Sequence, residues 1–252
     1  MTPRLSELWV YLSASPLLGL TITLLAYQAA FAIYRRSGSH PLANPVLIAV
    51  TTLVLLLSLT GTSYQTYFSG AQFVHFLLGP ATVALAIPLY QQAKRVKAML
   101  LPVVAGLLAG SLTAILSAVA VARLLGASLP TQLSLAPKSV TTPIAMGIAE
   151  RIGGIPSLTA VLVIFTGILG AVGARYVFDA MKLRDPAIRG FAIGVAAHGI
   201  GTARAFQVNE QSGAFAALAM GLNGALTALL LPAIAPWLGA TCACCGRPDG
   251  LG

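Results

Sequence analysis

Residues 137–143 read Pro-Lys-Ser-Val-Thr-Thr-Pro, within a chain that is apolar over most of its length. Two other stretches have the same character: Gly-Pro-Ala-Thr at residues 79–82 and His-Gly-Ile-Gly-Thr-Ala-Arg at residues 198–204. A bilayer offers no water to unpaired backbone groups, so broken helix at membrane depth must be buried in protein or line a wet cavity. The half-helix ends then point their partial charges at whatever occupies that cavity. These stretches predict a transporter-like site and argue against a simple membrane anchor.

The composition is that of an integral membrane protein. Of 252 residues, 57% are hydrophobic and 8% are charged, whereas a soluble domain carries about 25% charged residues. We predict an all-α polytopic fold with discontinuous helices, built as one transmembrane domain at residues 1–240 and followed by a cytoplasmic tail at 241–252. The apolar run at residues 8–34 is too long for a signal-peptide core, so it is expected to be the first span.

The charged and reactive residues exclude several function classes. The net charge is +9, but the basic residues lie at the ends of the predicted spans, which argues against nucleic-acid binding. The cysteines are Cys242, Cys244 and Cys245, all in the tail, so no disulfide framework is expected. The membrane region carries no hydrolase triad, phosphate loop or metal-ligand spacing. We therefore expect no enzyme activity, no cofactor and no metal.

The positive-inside rule predicts the topology. Basic residues cluster at 35–36, at 94–97 and at 175–189, and placing all three clusters in the cytoplasm puts the N-terminus outside. A full crossing at residues 131–155 would carry the third cluster outside, so this segment is predicted to be a re-entrant hairpin, although a broken segment could also cross. The seven predicted spans are 8–34, 45–66, 72–93, 99–122, 157–178, 188–208 and 212–238, with the C-terminus inside.

Weak internal similarity suggests two repeat halves, about 8–126 and 131–238. Gly-Ser-Leu-Thr-Ala at 110–114 matches Gly-Ala-Leu-Thr-Ala at 224–228, and Gly79-x-x-Thr82 matches Gly199-x-x-Thr202. A competing register pairs residues 80–83 with residues 137–140. The first register favours an inverted-repeat transporter with its broken helices at matching places.

Long motifs in this chain resemble those of the LrgB/CidB family of bacterial membrane proteins. The resemblance covers all but the first few residues and the cysteine-containing tail. At Arg204 the chain departs from many members of the family, which have a small or polar residue there, so the resemblance supports a role for Arg204 less than it does for the neighbouring residues. The motifs are LLGPATVALAIPLY at 77–90, SLAPKSVTTPIAM at 134–146, Arg189-Gly190, AHGIGTAR at 197–204, Glu210, and Gly-Ala-Phe-x-x-Leu-Ala-Met at 213–220.

The resemblance implies a multi-pass protein of the bacterial inner membrane and two kinds of function. Bacterial members are described as holin- or antiholin-like modulators of murein hydrolase activity and autolysis, often beside a four-span LrgA/CidA-type partner. A plastid relative exchanges glycolate and glycerate, and bacterial members are linked to pyruvate and other small organic acids. The implied partners are a small organic-acid anion, membrane lipids, an LrgA/CidA-like protein and a second copy of the chain.

Lys138 is the strongest candidate for recognition of an anion. A charge at membrane depth costs a few kcal/mol, so Lys138 should face an interior partner or a cavity. The alternative is a lysine that extends to the membrane surface from a shallow hairpin. The neighbouring hydroxyls of Ser139, Thr141 and Thr142 favour a site. We predict that these four residues bind the substrate.

The other two broken stretches supply the remaining candidates. His198 could relay protons, or it could cap a broken helix or bond a carbonyl. Gly199 and Gly201 would let backbone N–H groups approach an anion. Thr202 could bond a ligand or the broken turn. Pro80, Ala81 and Thr82 are the matching candidates of the first stretch. His75 and Asn223 are expected to be interhelical hydrogen-bond partners.

Two functions from different classes follow from these observations. The first is a secondary transporter or facilitator of small monocarboxylates, in which Thr82, Lys138, Ser139 and Thr202 converge on one cavity. The second is a holin-like regulator that acts through assembly with partners and needs no charged central site.

Overall fold

The computed structural model describes residues 16–38, 40, 43–77, 80, 83–84 and 86–239. These residues are helical nearly throughout and include no strand, which confirms the predicted all-α class. The chain divides into two compact units, residues 1–86 and residues 87–252. Within the described ranges, four helices are long and apolar enough to cross a membrane.

The first unit contains α1 (Pro16–Arg36), α2 (Pro45–Thr60) and α3 (Tyr64–Phe76), and α4 (Ala86–Gln91) begins at its boundary. The Asn44 side chain caps α2 by accepting hydrogen bonds from the backbone of Val46 and Leu47. The hydroxyls of Thr23 on α1 and Tyr67 on α3 lie 2.7 Å apart. The predicted span 45–66 is shorter than expected, because Gly61 ends α2 with a φ of +64°. Helices α3 and α4 cover the two ends of the predicted span 72–93, and part of the stretch between them lies outside the described residues.

The second unit combines long helices with two helical hairpins. Arg95, just before α6, and Asp185, just before α10, form an ion pair at 2.7 Å, so these two helices begin at one end of the unit. We call this the basic end, because Lys182 and Arg184 also lie there. The helices are α5 (Ala93–Ala98), α6 (Leu100–Leu124), α7 (Leu129–Leu135), α8 (Thr142–Ile152), α9 (Pro156–Ala180), α10 (Pro186–Val208) and α11 (Glu210–Ile234), followed by a 3₁₀ helix (Ala235–Leu238).

The first hairpin consists of α7, the connecting residues 136–141 and α8. Thr141 is extended before α8, with Pro143 in its first turn, and Gly153 ends α8 with a φ of +88°. The two ends of the hairpin lie together, because the Ser134 hydroxyl accepts a hydrogen bond of 2.7 Å from the backbone of Ile155. The chain therefore enters and leaves at the end opposite the basic end, as the re-entrant hairpin predicted for residues 131–155 requires.

The second hairpin replaces the predicted span at 188–208. Helix α10 is broken at Ala197 and His198, where His198 has φ +41° and ψ −134°. After the break the chain folds back on itself. This is seen at Gly201, where a Cβ atom would lie 2.7 Å from the Cβ of Ala197 and 3.0 Å from the carbonyl oxygen of Ile193, eight residues earlier in the chain. The predicted crossing is therefore wrong. The two halves of α10, residues 186–196 and 199–208, lie side by side, and both reach the basic end.

Helix α11 crosses the unit after this hairpin. Gly190 packs against the backbone carbonyl of Ser212, and Gly194 packs against that of Ala216, so closely that neither site has room for a Cβ atom. Because both contacts advance by four residues in the same direction, the first half of α10 runs parallel to α11. At the far end, Arg123 donates a hydrogen bond to the carbonyl of Leu238. Helix α11 therefore ends opposite the basic end. The predicted cytoplasmic tail, residues 241–252, lies outside the described residues.

The interior of this unit is assembled around the first hairpin. Ile115 of α6, Leu133 of α7, Val163 of α9 and Leu231 of α11 are members of one buried cluster that also includes Val140 of the connecting turn. Lipid is as apolar as these side chains, so close packing, aided by small residues, holds the helices together. This packing fixes the hairpin tip deep inside the unit.

Candidate functional site

The tips of the two hairpins meet at Asn223 of α11. The Asn223 amide donates hydrogen bonds to the carbonyl of Ser139, at 3.2 Å, and to the carbonyl of Val195, at 3.1 Å. The last carbonyls before a helix break lack intrahelical partners, and Val195 is in this position. Asn223 is 1% exposed, so it satisfies buried backbone groups that have no access to water. The predicted interhelical role of Asn223 agrees with this geometry.

His198 forms the sharp turn of the second hairpin. Its Nε2 atom lies 2.9 Å from the carbonyl oxygen of Val163 on α9, and because a carbonyl only accepts, Nε2 carries the hydrogen and donates. The Thr202 hydroxyl donates to the His198 carbonyl at 2.8 Å. The ring fits against Gly167, where a Cβ atom would lie 2.7 Å from Cε1 of His198. Since a positive φ costs a non-glycine residue about 1–3 kcal/mol, these contacts hold the turn in place.

Lys138 lies on the tip of the first hairpin and lines a cavity of about 560 Å³. Its ammonium group donates a hydrogen bond of 3.2 Å to the hydroxyl of Ser139, which lines the same cavity. We call this space the lysine cavity. Its walls are Ala114 of α6, one face of α9 between Thr166 and Phe178, and one face of α10 between Ala192 and Ala197. Among the described residues that line it, Lys138 is the one charged group.

Two half-helices begin at the hairpin tips. Helix α8 starts at Thr142, directly after the connecting turn that carries Lys138. The second half of α10 starts directly after His198. The first N–H groups of a helix have no intrahelical partner and carry partial positive charge. The region near Lys138 therefore combines a full positive charge with two positive helix ends, which suits an anion.

Comparison with known proteins gives one family. The model of the LrgB-like family matches residues 23–237. The chain belongs to the LrgB-like family. It is 30% identical over 226 residues to the antiholin-like protein LrgB of Bacillus cereus (strain B4264), covering 89% of this chain and 98% of that relative. The same values hold for the antiholin-like protein LrgB of Bacillus anthracis (strain A0248). No solved structure matches.

The predicted site residues of this LrgB-like protein fall into separate groups. Lys138 and Ser139 line the lysine cavity. Thr141 and Thr142 are half-buried at the start of α8 and do not appear among the residues that line the cavity. Pro80 is exposed, whereas Ala81 and Thr82 lie outside the described residues. The sequence predicted that Thr82, Lys138, Ser139 and Thr202 converge on one cavity, but Thr202 does not line the lysine cavity, and the part that involves Thr82 stays a prediction.

The candidates of the second hairpin are packed within it. Thr202 is 3% exposed and its hydroxyl bonds the backbone of His198, which is the alternative role considered from the sequence. Gly201 is buried where the two halves of α10 touch. At Gly199 a Cβ atom would contact one atom within 4 Å, the sulfur of Met220, so this backbone is less crowded.

The contribution of α9 to the cavity was not predicted from the sequence. Thr166, Gly170 and Gly173 line it, and the sequence around them has the small residues expected for close helix packing in any bundle. The signal available in the sequence was the Gly-x-x-Gly-x-x-Gly pattern at 167–173, which leaves one face of α9 without side chains.

Proposed function

We propose that this LrgB-like protein is a secondary transporter or facilitator of small monocarboxylates, such as glycolate, glycerate or pyruvate, in the bacterial inner membrane. One observation carries the proposal. A lysine on the tip of a helical hairpin faces a cavity where a second hairpin, from the opposite end, also has its tip. Broken helices that meet at mid-depth are typical of substrate sites in secondary transporters.

In the proposed mechanism, Lys138 offsets the cost of moving a carboxylate out of water. That cost is several kcal/mol for an ion, and a charge-assisted hydrogen bond with nearby helix N-termini offsets much of it. The Ser139 hydroxyl orients the ammonium group. The walls from α9 and α10 are mostly apolar, so the polar side chains that the described lining offers a carboxylate are those of Lys138, Ser139 and Thr166.

Alternating access is proposed to follow from an inverted repeat within the second unit. Helix α6 and the first hairpin would form one half, and α9 and the second hairpin the other, because the hairpins enter from opposite ends. This division replaces the halves 8–126 and 131–238 expected from the sequence. Each hairpin would be able to open towards its own end while the other stays packed against Asn223.

The test of the proposed function is uptake of labelled pyruvate, glycolate and glycerate into liposomes that contain this protein alone. Saturable uptake of at least one acid, well above that of protein-free liposomes, is expected. Leakage that does not saturate and is equal for acids and neutral solutes of similar size would oppose transport and favour a pore.

A second candidate is an antiholin-like regulator of murein hydrolase activity and autolysis. This candidate rests on the names of the relatives, which are antiholin-like proteins and favour regulation more directly than they favour transport. Such a protein would act with an LrgA/CidA-type partner or as an oligomer. Comparison of autolysis rates in cells that produce the wild type and a transport-deficient variant tests the relation between the two functions. Equal autolysis rates would separate regulation from transport.

The hairpin geometry also leads us to propose a revised topology. With the basic end in the cytoplasm, as the positive-inside rule requires, α11 would end on the outer side. The tail that begins after Gly239 would then be extracytoplasmic, in place of the cytoplasmic location expected from the sequence.

A further inference from the structure

A small cavity, too narrow to hold a water molecule, lies between α6, α11 and the tip of the first hairpin. Its polar lining is Ser111 of α6, Ser139 of the connecting turn, and Asn223 and Thr227 of α11. We call this space the oxygen pocket. All four residues are buried. The pocket therefore gathers side-chain oxygens from three elements at the place where Asn223 joins the two hairpin tips.

The side-chain oxygens of the pocket are too far apart for good hydrogen bonds. The hydroxyl oxygens of Ser111 and Thr227 lie 3.3 Å apart, and the Thr227 hydroxyl lies 3.5 Å from Oδ1 of Asn223. Hydrogen bonds between two oxygens are normally about 2.5–3.0 Å long. Buried polar groups with such weak partners are costly at membrane depth, so another group is expected to satisfy them.

The hydrogen-bond partners of Asn223 determine which atoms face the pocket. Its amide nitrogen donates to the carbonyls of Ser139 and Val195, which only accept, so Oδ1 is directed to the other side, towards Thr227. The hydroxyls of Ser111 and Thr227 can each turn their hydrogen to a carbonyl one turn back in their own helix. Three oxygen acceptors then face one another.

We infer that the oxygen pocket binds a dehydrated monovalent cation, and that its dimensions select sodium. Sodium has nearly the ionic radius of calcium, whose bonds to oxygen are about 2.4 Å long, so two ligands at right angles around it lie about 3.4 Å apart. The observed separations of 3.3 and 3.5 Å agree with this value. A bare sodium ion is smaller than a water molecule, whereas potassium is about as large as one.

The type of ligand also favours a monovalent ion. The described residues that line the pocket include no carboxylate, and neutral oxygens suit a single charge better than the two charges of calcium or magnesium. Oxygens at broken helices coordinate the coupling ion in many secondary transporters. The oxygen pocket has this position, because Ser139 belongs to the tip of the first hairpin and Asn223 binds both tips.

The oxygen pocket and the lysine cavity are neighbours, because Ala114 and Ser139 line both. The Lys138 ammonium therefore repels a cation in the pocket, and a carboxylate bound to Lys138 would cancel that repulsion. Each ion would then raise the affinity of the other by the same factor. This coupling rests on the proposed function and makes sodium the co-transported ion, whereas sodium binding itself does not depend on it.

The test is unfolding of the purified full-length protein in mixed micelles that contain sodium, potassium or choline chloride at one ionic strength. Sodium at ten times its dissociation constant should raise the folding equilibrium constant about elevenfold, because it binds the folded state. Potassium should have no more effect than choline. Equal unfolding midpoints in sodium and choline would overturn the inference, and equal stabilisation by sodium and potassium would refute the selectivity.

A pair of serine variants on α6 locates the binding site. Ser111→Ala removes one ligand and should weaken the sodium affinity tenfold to a hundredfold, and alanine favours the helix, so this variant should fold. The matched control is Ser117→Ala, which removes an exposed hydroxyl that bonds the carbonyl of Thr113. This control should keep the sodium affinity of the wild type. Equal sodium affinities of the two variants would place the ion elsewhere and overturn the inference.

A last comparison separates the cation site from the proposed function. Lys138→Gln removes the repulsive charge, so it should bind sodium at least as tightly as the wild type while it loses binding of pyruvate. In the wild type, pyruvate should raise the sodium affinity. If pyruvate has no effect on sodium binding while Ser111→Ala still weakens it, the coupling is refuted and the cation site is supported.

Discussion

Replacement of Asn223 by Leu tests whether one side chain holds both hairpin tips. The change keeps the number and branching of the side-chain heavy atoms but removes the donors for the carbonyls of Ser139 and Val195, both of which are buried. A hydrogen bond contributes about 0.5–1.5 kcal/mol in water and roughly 0.6 on average between membrane helices, so loss of both should cost about 1–3 kcal/mol. We expect the free energy of unfolding to fall by this amount.

The measurement is equilibrium unfolding in mixed micelles titrated with a denaturing detergent, followed by helix signal. The control is Thr227→Val, one turn along α11. Valine has the shape of threonine, and the change removes longer hydroxyl contacts of 3.3 Å to Ser111 and 3.5 Å to Asn223. The control should lose less than half as much stability. If both variants unfold at the same denaturant concentration as the wild type, Asn223 does not anchor the tips.

Two further predictions concern the second hairpin and the topology. Gly167→Ala places a methyl group against the His198 ring and should destabilise the protein by about 1–3 kcal/mol in the same unfolding titration. The control Gly173→Ala, on the same helix, meets no atom within 4 Å and should be neutral, so equal effects of the two changes would refute close packing of His198 against Gly167. In a variant without native cysteines, Trp237→Cys should react with an impermeant maleimide from outside and Met181→Cys from inside, and labelling of both from one side would refute the revised topology.

The fold class and the first hairpin could be predicted because local chemistry determines them. Low charge and long apolar runs indicate membrane helices, and Pro137 and Pro143 interrupt helix regardless of their surroundings. The basic clusters then indicate a segment that returns to the same side. Each of these signals depends on the residues themselves and not on distant contacts.

The second hairpin could not be predicted from the same signals. Residues 188–208 contain no proline, and glycine at 199 and 201 is compatible with a kinked crossing helix as well as with a reversal. The reversal depends on tertiary contacts of His198 with Val163 and Gly167, which lie about thirty residues away in sequence. The predicted cytoplasmic side of the tail depends on a crossing at residues 188–208, which the break in α10 replaces with a reversal.

The candidate site was predictable in part for a similar reason. Lys138 and Ser139 are conspicuous in apolar sequence, so their polarity alone indicated a cavity. Thr202 looked equivalent from sequence, but its hydroxyl is used by the turn that it stabilises. The cavity wall on α9 consists of small residues, and these have no polar signal that separates them from helix packing.

Uptake of labelled pyruvate by Lys138→Gln, in liposomes and per inserted molecule, tests the central claim most directly. Loss of one charge-assisted hydrogen bond should cost about 1.5–3 kcal/mol, or roughly a tenfold to hundredfold loss of apparent affinity. Lys138→Arg should also be impaired, because a planar fork does not reproduce a compact ammonium. Lys97→Gln, an exposed lysine outside the cavity, should transport like the wild type. Normal uptake per molecule by Lys138→Gln would contradict the account.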